Sequence, residues 1–220
     1  SVSAFSSEQI AEQQIETGGD LQVVVPSLTF VKDGARGGQF GIRGISNGAT
    51  SNTADTGVEV HMNSLPMGST TMQDGEFFDM ERIEVLRGPQ GTLFGKNSVA
   101  GAINLITKKA DASGFSSEAE LDLHQYNGQR VKGHVNLPLT DSLAIRAAYL
   151  GYERDGYVQN IYSQGLDDDI DGRNSESIRM SMGWSNDSTR IDVVREKYDE
   201  SSSRSLGNNT YCKRDSSLVN

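Results

Sequence analysis

Apolar and polar residues alternate along most of the second half of the chain. The alternation covers five segments, residues 118–124, 131–137, 143–151, 178–184 and 190–195. Successive side chains of a β-strand point to opposite faces, so this period predicts five strands with one apolar and one polar face. We place these strands in residues 111–220, after a change of character near Ala110. A soluble antiparallel sheet with one wet face would show the same alternation.

The connections between these segments also alternate in length. Short turns at residues 138–142 and 185–188 contrast with long polar stretches at 155–174 and from 199 onward. Tight turns at one rim and longer loops at the other are typical of outer-membrane barrels, which also carry aromatic girdles near their strand ends. Aromatic residues near the predicted strand ends are Tyr126, Tyr149, Tyr152, Trp184 and Tyr198.

The first 110 residues contain both helix and strand patterns, joined by Gly-rich connections. Residues 7–15 have the pattern of a short helix that Ser6 can cap, with Gln9 in the capping-box position and Gly18-Gly19 at its end. A helical or extended stretch is predicted at 21–25, strands at 41–45, 58–62, 83–86 and 101–108, and one helical turn at 79–82. Such a mixture indicates a small α+β domain.

Composition excludes several classes of protein. No apolar run approaches the ~18–20 residues of a membrane-spanning helix, which leaves a β-barrel open. A formal net charge of −10 argues against a nucleic-acid partner. The single cysteine, Cys212, cannot form an internal disulfide, and His61, His124 and His134 lack the spacing of metal ligands.

No motif indicates catalysis or a cofactor. Neither a Ser-His-Asp nor a Cys-His arrangement stands out, so we expect no enzyme. Residues 167–172 have the start of a calcium-loop pattern, but Ile178 stands where that pattern needs Glu, which favours a solvated loop. We therefore predict neither a catalytic residue nor a metal site.

The region from Phe78 to Lys109 carries the most specific motif. It has the sequence FDMERIEVLRGPQGTLFG in residues 78–95 and KNSVAGAINLITKK in residues 96–109. This run resembles the plug signature of TonB-dependent outer-membrane receptors. Residues 42–44 and 58–66 match upstream parts of the same pattern in the same order, and residues 1–5 resemble the stretch shortly after the family's energy-coupling box.

The resemblance implies a fold and a location. The fold is an α+β plug domain in residues 1–110, followed in residues 111–220 by antiparallel β-strands of a transmembrane β-barrel. Family barrels that hold a plug have about 22 strands, so we expect the five strands here to be the first of a larger barrel in a longer protein. The implied location is the bacterial outer membrane, in contact with lipid.

The resemblance also implies active import. A scarce nutrient, such as a ferric siderophore or another metal chelate, would bind from outside above the plug. TonB would then pull on the energy-coupling box, which we expect before Ser1. The alternatives are a signal-transducing receptor, which needs an N-terminal signalling extension, and a free-standing plug-like binding module with a soluble sheet.

One departure from the family pattern concerns a turn. Asn63-Ser64 stands where the family usually has Asp-Gly. Asn adopts a positive φ readily, whereas Ser does so less readily than Gly. The departure therefore bears on the geometry of this turn and not on the domain.

Three plug loops, residues 32–39, 46–55 and 68–74, are expected to face the ligand. Their polar groups suit a polar or anionic ligand, although solvated loops without a ligand would look the same. The candidate ligand-binding residues are Arg36, Asn47, Asn52, Ser69, Thr70, Met72 and Gln73. In the family, plug arginines pair with barrel glutamates, and Arg43 and Arg87 are the candidates for this locking role by position. Salt bridges within the plug are the alternative.

The alternation also predicts which residues share a face of the strands. The residues predicted to face lipid are Leu121, Leu123, Val135, Ile145, Met180 and Val193. Those predicted to face the lumen are Glu120, Lys132, Arg146 and Arg179.

Overall fold

The computed structural model describes residues 2–32, 37–46, 57–159 and 169–203. The first domain, which we call the plug domain after the resemblance above, contains β1 (Val2–Ser6), α1 (Ser7–Glu12), α2 (Gly18–Val24), β2 (Leu28–Lys32), β3 (Gly38–Ile42), β4 (Val58–Met62), β5 (Leu65–Pro66), α3 (Thr70–Gln73), β6 (Met80–Arg87), α4 (Gly91–Phe94) and β7 (Gly101–Thr107). After it come β8 (Ser116–His124), β9 (Gly128–Thr140), β10 (Leu143–Arg154), β11 (Val158–Gln159), β12 (Asp169–Ile170), β13 (Arg173–Ser185) and β14 (Arg190–Ser202).

The plug domain is built on a mixed sheet with the strand order β1-β6-β7-β4-β5. Strands β4 and β7 run parallel, and the other neighbours are antiparallel. The separate β2–β3 hairpin shares one apolar core with this sheet, in which Leu21, Ile42, Ile83 and Ile103 are fully buried. The sequence predicted strands at 83–86 and 101–108, and the pairing of β6 with β7 confirms both and places them in this sheet.

The first predicted helix is present but shorter than predicted. Ser6 and Gln9 exchange the hydrogen bonds of the capping box, at 3.4 Å and 3.0 Å. The prediction that the glycines at 18–19 end this helix was wrong, because they begin α2. Thr17 caps α2 with a capping box of its own, so side-chain hydrogen bonds at a helix start outweigh the glycine stop signal.

Residues 79–82 do not form the predicted helical turn. Asp79 has a left-handed backbone, with φ of 51°, and β6 begins at the next residue. β6 pairs with β7 on one side and with β1 on the other, and this pairing buries Ile83 and Val85 completely. The prediction was wrong because long-range strand pairing decides the conformation of residues whose local preference is weak.

The turn at Asn63-Ser64 takes the conformation usual for Asp-Gly. Both residues have positive φ, 51° and 68°, as in a type I′ turn. The Asn63 amide exchanges hydrogen bonds with Thr107, and the Ser64 N–H donates to Asn104 Oδ1 at 3.3 Å. These contacts with β7 hold Ser64 in a conformation that its Cβ disfavours.

Strands β8, β9, β10, β13 and β14 form one antiparallel sheet in that order, which we call the wall. They are the five strands that the alternation predicted. Strands β9, β13 and β14 have 13 residues each, more than predicted. Strand pairing continues past the apolar pattern, because backbone hydrogen bonds do not depend on side-chain polarity. The small β11–β12 hairpin lies in the long connection between β10 and β13.

The two faces of the wall differ as predicted. Leu121 and Met180 are 62% and 59% exposed, and the other four residues predicted to face outward are exposed as well. On the opposite face Arg146 and Arg179 are only 6% and 2% exposed, because the plug domain covers them. The predicted register is confirmed. Among the described residues, no helix combines the length and apolar character needed to cross a membrane.

Candidate functional site at the plug–wall boundary

Residues 74–79 of the plug domain lie along the polar face of the wall, and we call them the anchor segment. This segment joins α3 to β6 and has the sequence DGEFFD. Arginines from three adjacent wall strands reach it. These wall arginines are Arg130 on β9, Arg146 on β10, and Arg173 and Arg179 on β13.

Arg146 and Asp79 form a buried, two-point ion pair. Nε of Arg146 donates to Oδ2 of Asp79 at 2.8 Å, and Nη2 donates to Oδ1. The two side chains are 6% and 5% exposed. Fork-shaped pairing of a guanidinium with a carboxylate fixes direction as well as distance. Removing either partner would leave a buried unpaired charge, which typically costs about 3–5 kcal/mol.

Arg179 binds Phe78, the residue of the anchor segment directly before Asp79. Its Nη1 donates to the Phe78 carbonyl at 3.0 Å, and its guanidinium carbon lies 4.2 Å from the centre of the Phe78 ring. Its Nε donates to Glu196 at 2.9 Å, which balances the buried charge. The Phe78 ring also packs with Ala148 and Leu150 of β10. Polar, cation–π and apolar contacts therefore all fix Phe78 on the wall.

Arg130 is surrounded by carboxylates from both domains. Its Nε donates to Asp122 at 2.9 Å and its Nη2 donates to Glu16 at 2.5 Å, while Glu76 lies 3.8 Å from Nη1. Lys132 adds a second cation, 3.6 Å from Glu16. Burial raises the pKa of the Glu76 carboxyl and outweighs the attraction of the nearby arginines. The carboxylates thus share Arg130 instead of forming a single exclusive pair.

The first and third predicted ligand-facing loops meet at the start of the anchor segment. Lys32 Nζ lies 2.9 Å from Asp74 Oδ1, which joins the two loops. Arg173 Nη2 donates to the Asp74 carbonyl at 3.2 Å and to the Tyr198 hydroxyl at 3.4 Å. The Arg173 guanidinium also lies 5.9 Å from the Tyr152 ring. Two plug loops and the wall therefore converge at Asp74.

The predicted ligand-binding residues of the third loop differ in exposure. Ser69 is exposed, Thr70 is half-buried and Met72 is 44% exposed. Gln73 is buried, and its Nε2 donates to the Met67 carbonyl at 3.4 Å, which favours a structural role for this side chain. Three further predicted residues lie outside the described part of the chain: Arg36, Asn47 and Asn52.

Arg43 and Arg87 contact neighbouring parts of the plug domain. Arg43 has an exposed side chain and a left-handed backbone, and its N–H donates to the Ser27 carbonyl at 2.9 Å. Arg87 is half-buried and donates to Ser3 Oγ at 3.0 Å and to the Pro26 carbonyl at 3.4 Å. Their locking role stays a prediction. The buried plug–wall ion pairs described above have the opposite polarity, with the arginine on the wall.

A cleft of about 1370 Å³ lies between the plug domain and the wall. The β4–β5 turn and the end of β7 form its plug side, and polar side chains of β10 and β14 form its wall side. Met72 of the third loop borders the same cleft as Ser113, which follows the plug domain. The cleft therefore extends from the third loop to the linker between the two domains.

Comparison with known proteins agrees with this architecture. Residues 1–102 match the family described as TonB-dependent Receptor Plug Domain. The chain is 27% identical over 232 residues to the vitamin B12 transporter BtuB of Vibrio vulnificus, which covers 94% of this chain and 35% of BtuB. It is 30% identical over 155 residues to the probable TonB-dependent siderophore receptor PiuA of Acinetobacter baumannii, which covers 70% of this chain and 20% of PiuA.

The fold is similar to a crystal structure as well. The ferric yersiniabactin uptake receptor FyuA from Yersinia pestis superposes with a TM-score of 0.79 at 20% identity, covering 93% of this chain and 32% of FyuA. The chain thus spans about a third or less of the length of each of these three proteins.

The structure thus joins an α+β domain, through buried arginines, to the polar face of an antiparallel wall whose other face is apolar. Residues 1–102 thus match the plug domain of TonB-dependent receptors, and PiuA, to which 70% of the chain is similar, is a probable receptor of this kind. The sequence had placed Arg146 and Arg179 on the lumen face, but not their partners. The one available signal was the acidic segment DGEFFD, which runs into the start of the family signature.

Proposed function

We propose that the complete protein containing this chain is an outer-membrane transporter that imports a scarce nutrient and is driven by TonB. The observation that carries the proposal is the plug domain seated by buried arginines on the polar face of the wall. A plug held by noncovalent polar contacts can close a barrel and still be rearranged, because water or other side chains can replace those contacts when it moves.

The wall supports an outer-membrane location. Its outward face exposes leucine, valine, isoleucine and methionine side chains, while the opposite face carries the ion pairs to the plug. Apolar residues facing lipid and polar residues facing the lumen are the arrangement of an outer-membrane barrel. The relatives' names support the nutrient: FyuA takes up ferric yersiniabactin, PiuA is a probable siderophore receptor, and BtuB transports vitamin B12. We therefore propose a ferric siderophore as the ligand.

The ligand would bind over the plug loops. Within the described residues, Ser69, Thr70 and Met72 of the third loop are accessible, and Lys32 lies where this loop meets the first. The proposed site also includes Arg36, Asn47 and Asn52, as the sequence predicted. Hydrogen-bonding groups beside a cation suit a chelate with oxygen donors.

The test is uptake by cells that lack their own siderophore receptors. The complete protein is expressed in this strain, and uptake of radioactive iron is measured with catecholate, hydroxamate and phenolate siderophores in turn, and of labelled vitamin B12 in parallel. We expect uptake of at least one iron chelate, lost in a matched strain without TonB. Uptake of vitamin B12 alone would replace the proposed ligand. Absence of TonB-dependent uptake, with ligand-dependent transcription instead, would favour a signalling receptor.

A further inference from the structure

We propose, building on the import function above, that Arg146 and Arg179 keep the β6–β7 pair fixed to the wall throughout transport. The rearrangement that opens the plug is then confined to elements nearer the N-terminus, starting with β1 and α1. Arg146 and Arg179 are positioning residues in this scheme, since they hold part of the plug and do not contact the ligand loops.

The start of β6 and the end of β7 are attached to the wall at neighbouring points. The two strands are antiparallel, with Met80 opposite Thr107, so the start of β6 and the end of β7 are neighbours. Asp79, directly before β6, binds Arg146. The Lys108 N–H, directly after β7, donates to the Asp79 carbonyl at 2.9 Å. One wall contact therefore serves both strands.

The chain that follows β7 adds further wall contacts. Lys109 Nζ lies 3.0 Å from Asp192 of β14, and Arg190 Nη2 donates to the Ala110 carbonyl at 3.0 Å. The Asp111 N–H donates to Asn136 Oδ1 at 3.0 Å, and Asn136 is fully buried. Displacing the β6–β7 pair would require breaking contacts to β9, β10, β13 and β14 together.

The plug–wall contact between Glu16 and Arg130 differs from that between Asp79 and Arg146. Glu16, between α1 and α2, binds Arg130, which also binds Asp122 and has Glu76 at 3.8 Å. If Glu16 leaves, Arg130 keeps its two hydrogen bonds to Asp122. Arg146, by contrast, directs its described hydrogen bonds to Asp79 alone. The Glu16 contact can therefore be released without stranding a buried charge, whereas the Asp79 contact cannot.

The polar contacts described for β1 lie within the plug domain. β1 is an edge strand that pairs with β6 only, from Val2 opposite Leu86 to Ser6 opposite Arg82. Arg87 links its Ser3 to the rest of the plug. An edge strand can leave by breaking one ladder, without disturbing the pairs β6–β7 and β7–β4.

Two cleavable crosslinks in the complete protein, carrying Cys212→Ser, test the proposal. The first joins Asp79→Cys to Arg146→Cys with a short bis-methanethiosulfonate reagent. The second is a disulfide between Ala4→Cys and Glu84→Cys, which are direct cross-strand partners. The probe is whichever chelate of the uptake panel the parent protein imports. The reduced form of each variant is its own control for the lost side chains.

We expect the Asp79–Arg146 crosslink to leave uptake within about twofold of the reduced form, and the Ala4–Glu84 disulfide to lower it about tenfold or more, because only the second restrains a moving element. Loss of uptake with the first crosslink, or normal uptake with the second, would overturn the proposal.

A second measurement does not depend on import. Hydrogen exchange of the purified protein is compared for Arg146→Ala, Arg130→Ala and the outward-facing control Arg195→Ala. We expect Arg146→Ala to speed exchange of β6 and β7 amides by roughly a hundredfold or more, and Arg130→Ala to act mainly on residues near Glu16. If Arg130→Ala loosens β6 and β7 as strongly as Arg146→Ala, the division into fixed and releasable contacts is wrong. If exchange follows the proposal but no chelate is imported, only the transport function fails.

Discussion

Replacing Arg146 should measure how strongly the plug is held. In Arg146→Ala the Asp79 carboxylate, 5% exposed, loses both guanidinium hydrogen bonds. Leaving one member of a buried pair uncompensated costs about 3–5 kcal/mol. Local opening of β6 should then be roughly a hundred- to several-thousand-fold more frequent, at 1.36 kcal/mol per tenfold. Replacing both partners should cost less than the sum of the single changes, because no charge is stranded.

A double-mutant cycle with native-state hydrogen exchange on β6 amides is the assay. Asp79→Asn is the better partner change, because Asn tolerates the left-handed backbone at position 79, with φ of 51°. We expect a coupling energy of about 2 kcal/mol or more between the two sites, in the upper part of the usual range for contacting residues. Additive effects, or a loss below about 1 kcal/mol for Arg146→Ala, would show that solvent already satisfies this pair and would refute the reasoning.

Further predictions concern residues within the plug domain. Burial raises the pKa of Glu76 from its usual 4.5, so the native state favours the protonated carboxyl. The contribution of Glu76 to stability therefore falls as the pH rises above 4.5. Glu76→Gln should slow hydrogen exchange of nearby amides at pH 7 and have no such effect well below pH 4.5. Ser64→Gly should stabilise the plug by about 1 kcal/mol in urea titrations, because glycine removes the cost of positive φ at this turn. Gly101→Ala should destabilise the plug by about 1–3 kcal/mol in the same titration, because a Cβ would lie 2.3 Å from the Leu86 carbonyl oxygen. Gly91→Ala is the control, since a Cβ at that position would meet open space.

Local patterns in the sequence predicted much of the fold. The wall strands were predicted because the period of two is a property of each strand by itself, and outward residues such as Leu121 and Met180 are exposed accordingly. The capping box of Ser6 and Gln9 was predicted because its partners are three residues apart. The family signature in residues 78–109 identified the plug domain for a similar reason, since a contiguous motif can be recognised without knowing which residues it contacts in the fold.

Two errors have different causes: pairing with distant strands decides one, and a neighbouring helix cap decides the other. The sequence of residues 79–82 allows a helical turn, but pairing with β1 and β7 makes 80–82 the start of a strand. The glycines at 18–19 allow a helix stop, but the cap at Thr17 turns them into a helix start. In each case local preferences amount to a few tenths of a kcal/mol per residue, and burial or hydrogen bonding outweighs them.

The sequence by itself determined the plug domain, the number of wall strands and the residues on each face, because these follow from short-range periods and one contiguous motif. Only the tertiary structure decided which side chains join the two domains. Arg146 meets Asp79 across 67 positions, and Arg130 meets Glu16 across 114. Alternation places an arginine on the lumen face, but its partner is chosen by how the plug packs against the wall. That packing depends on the summed shape and charge of both domains, which no local pattern contains.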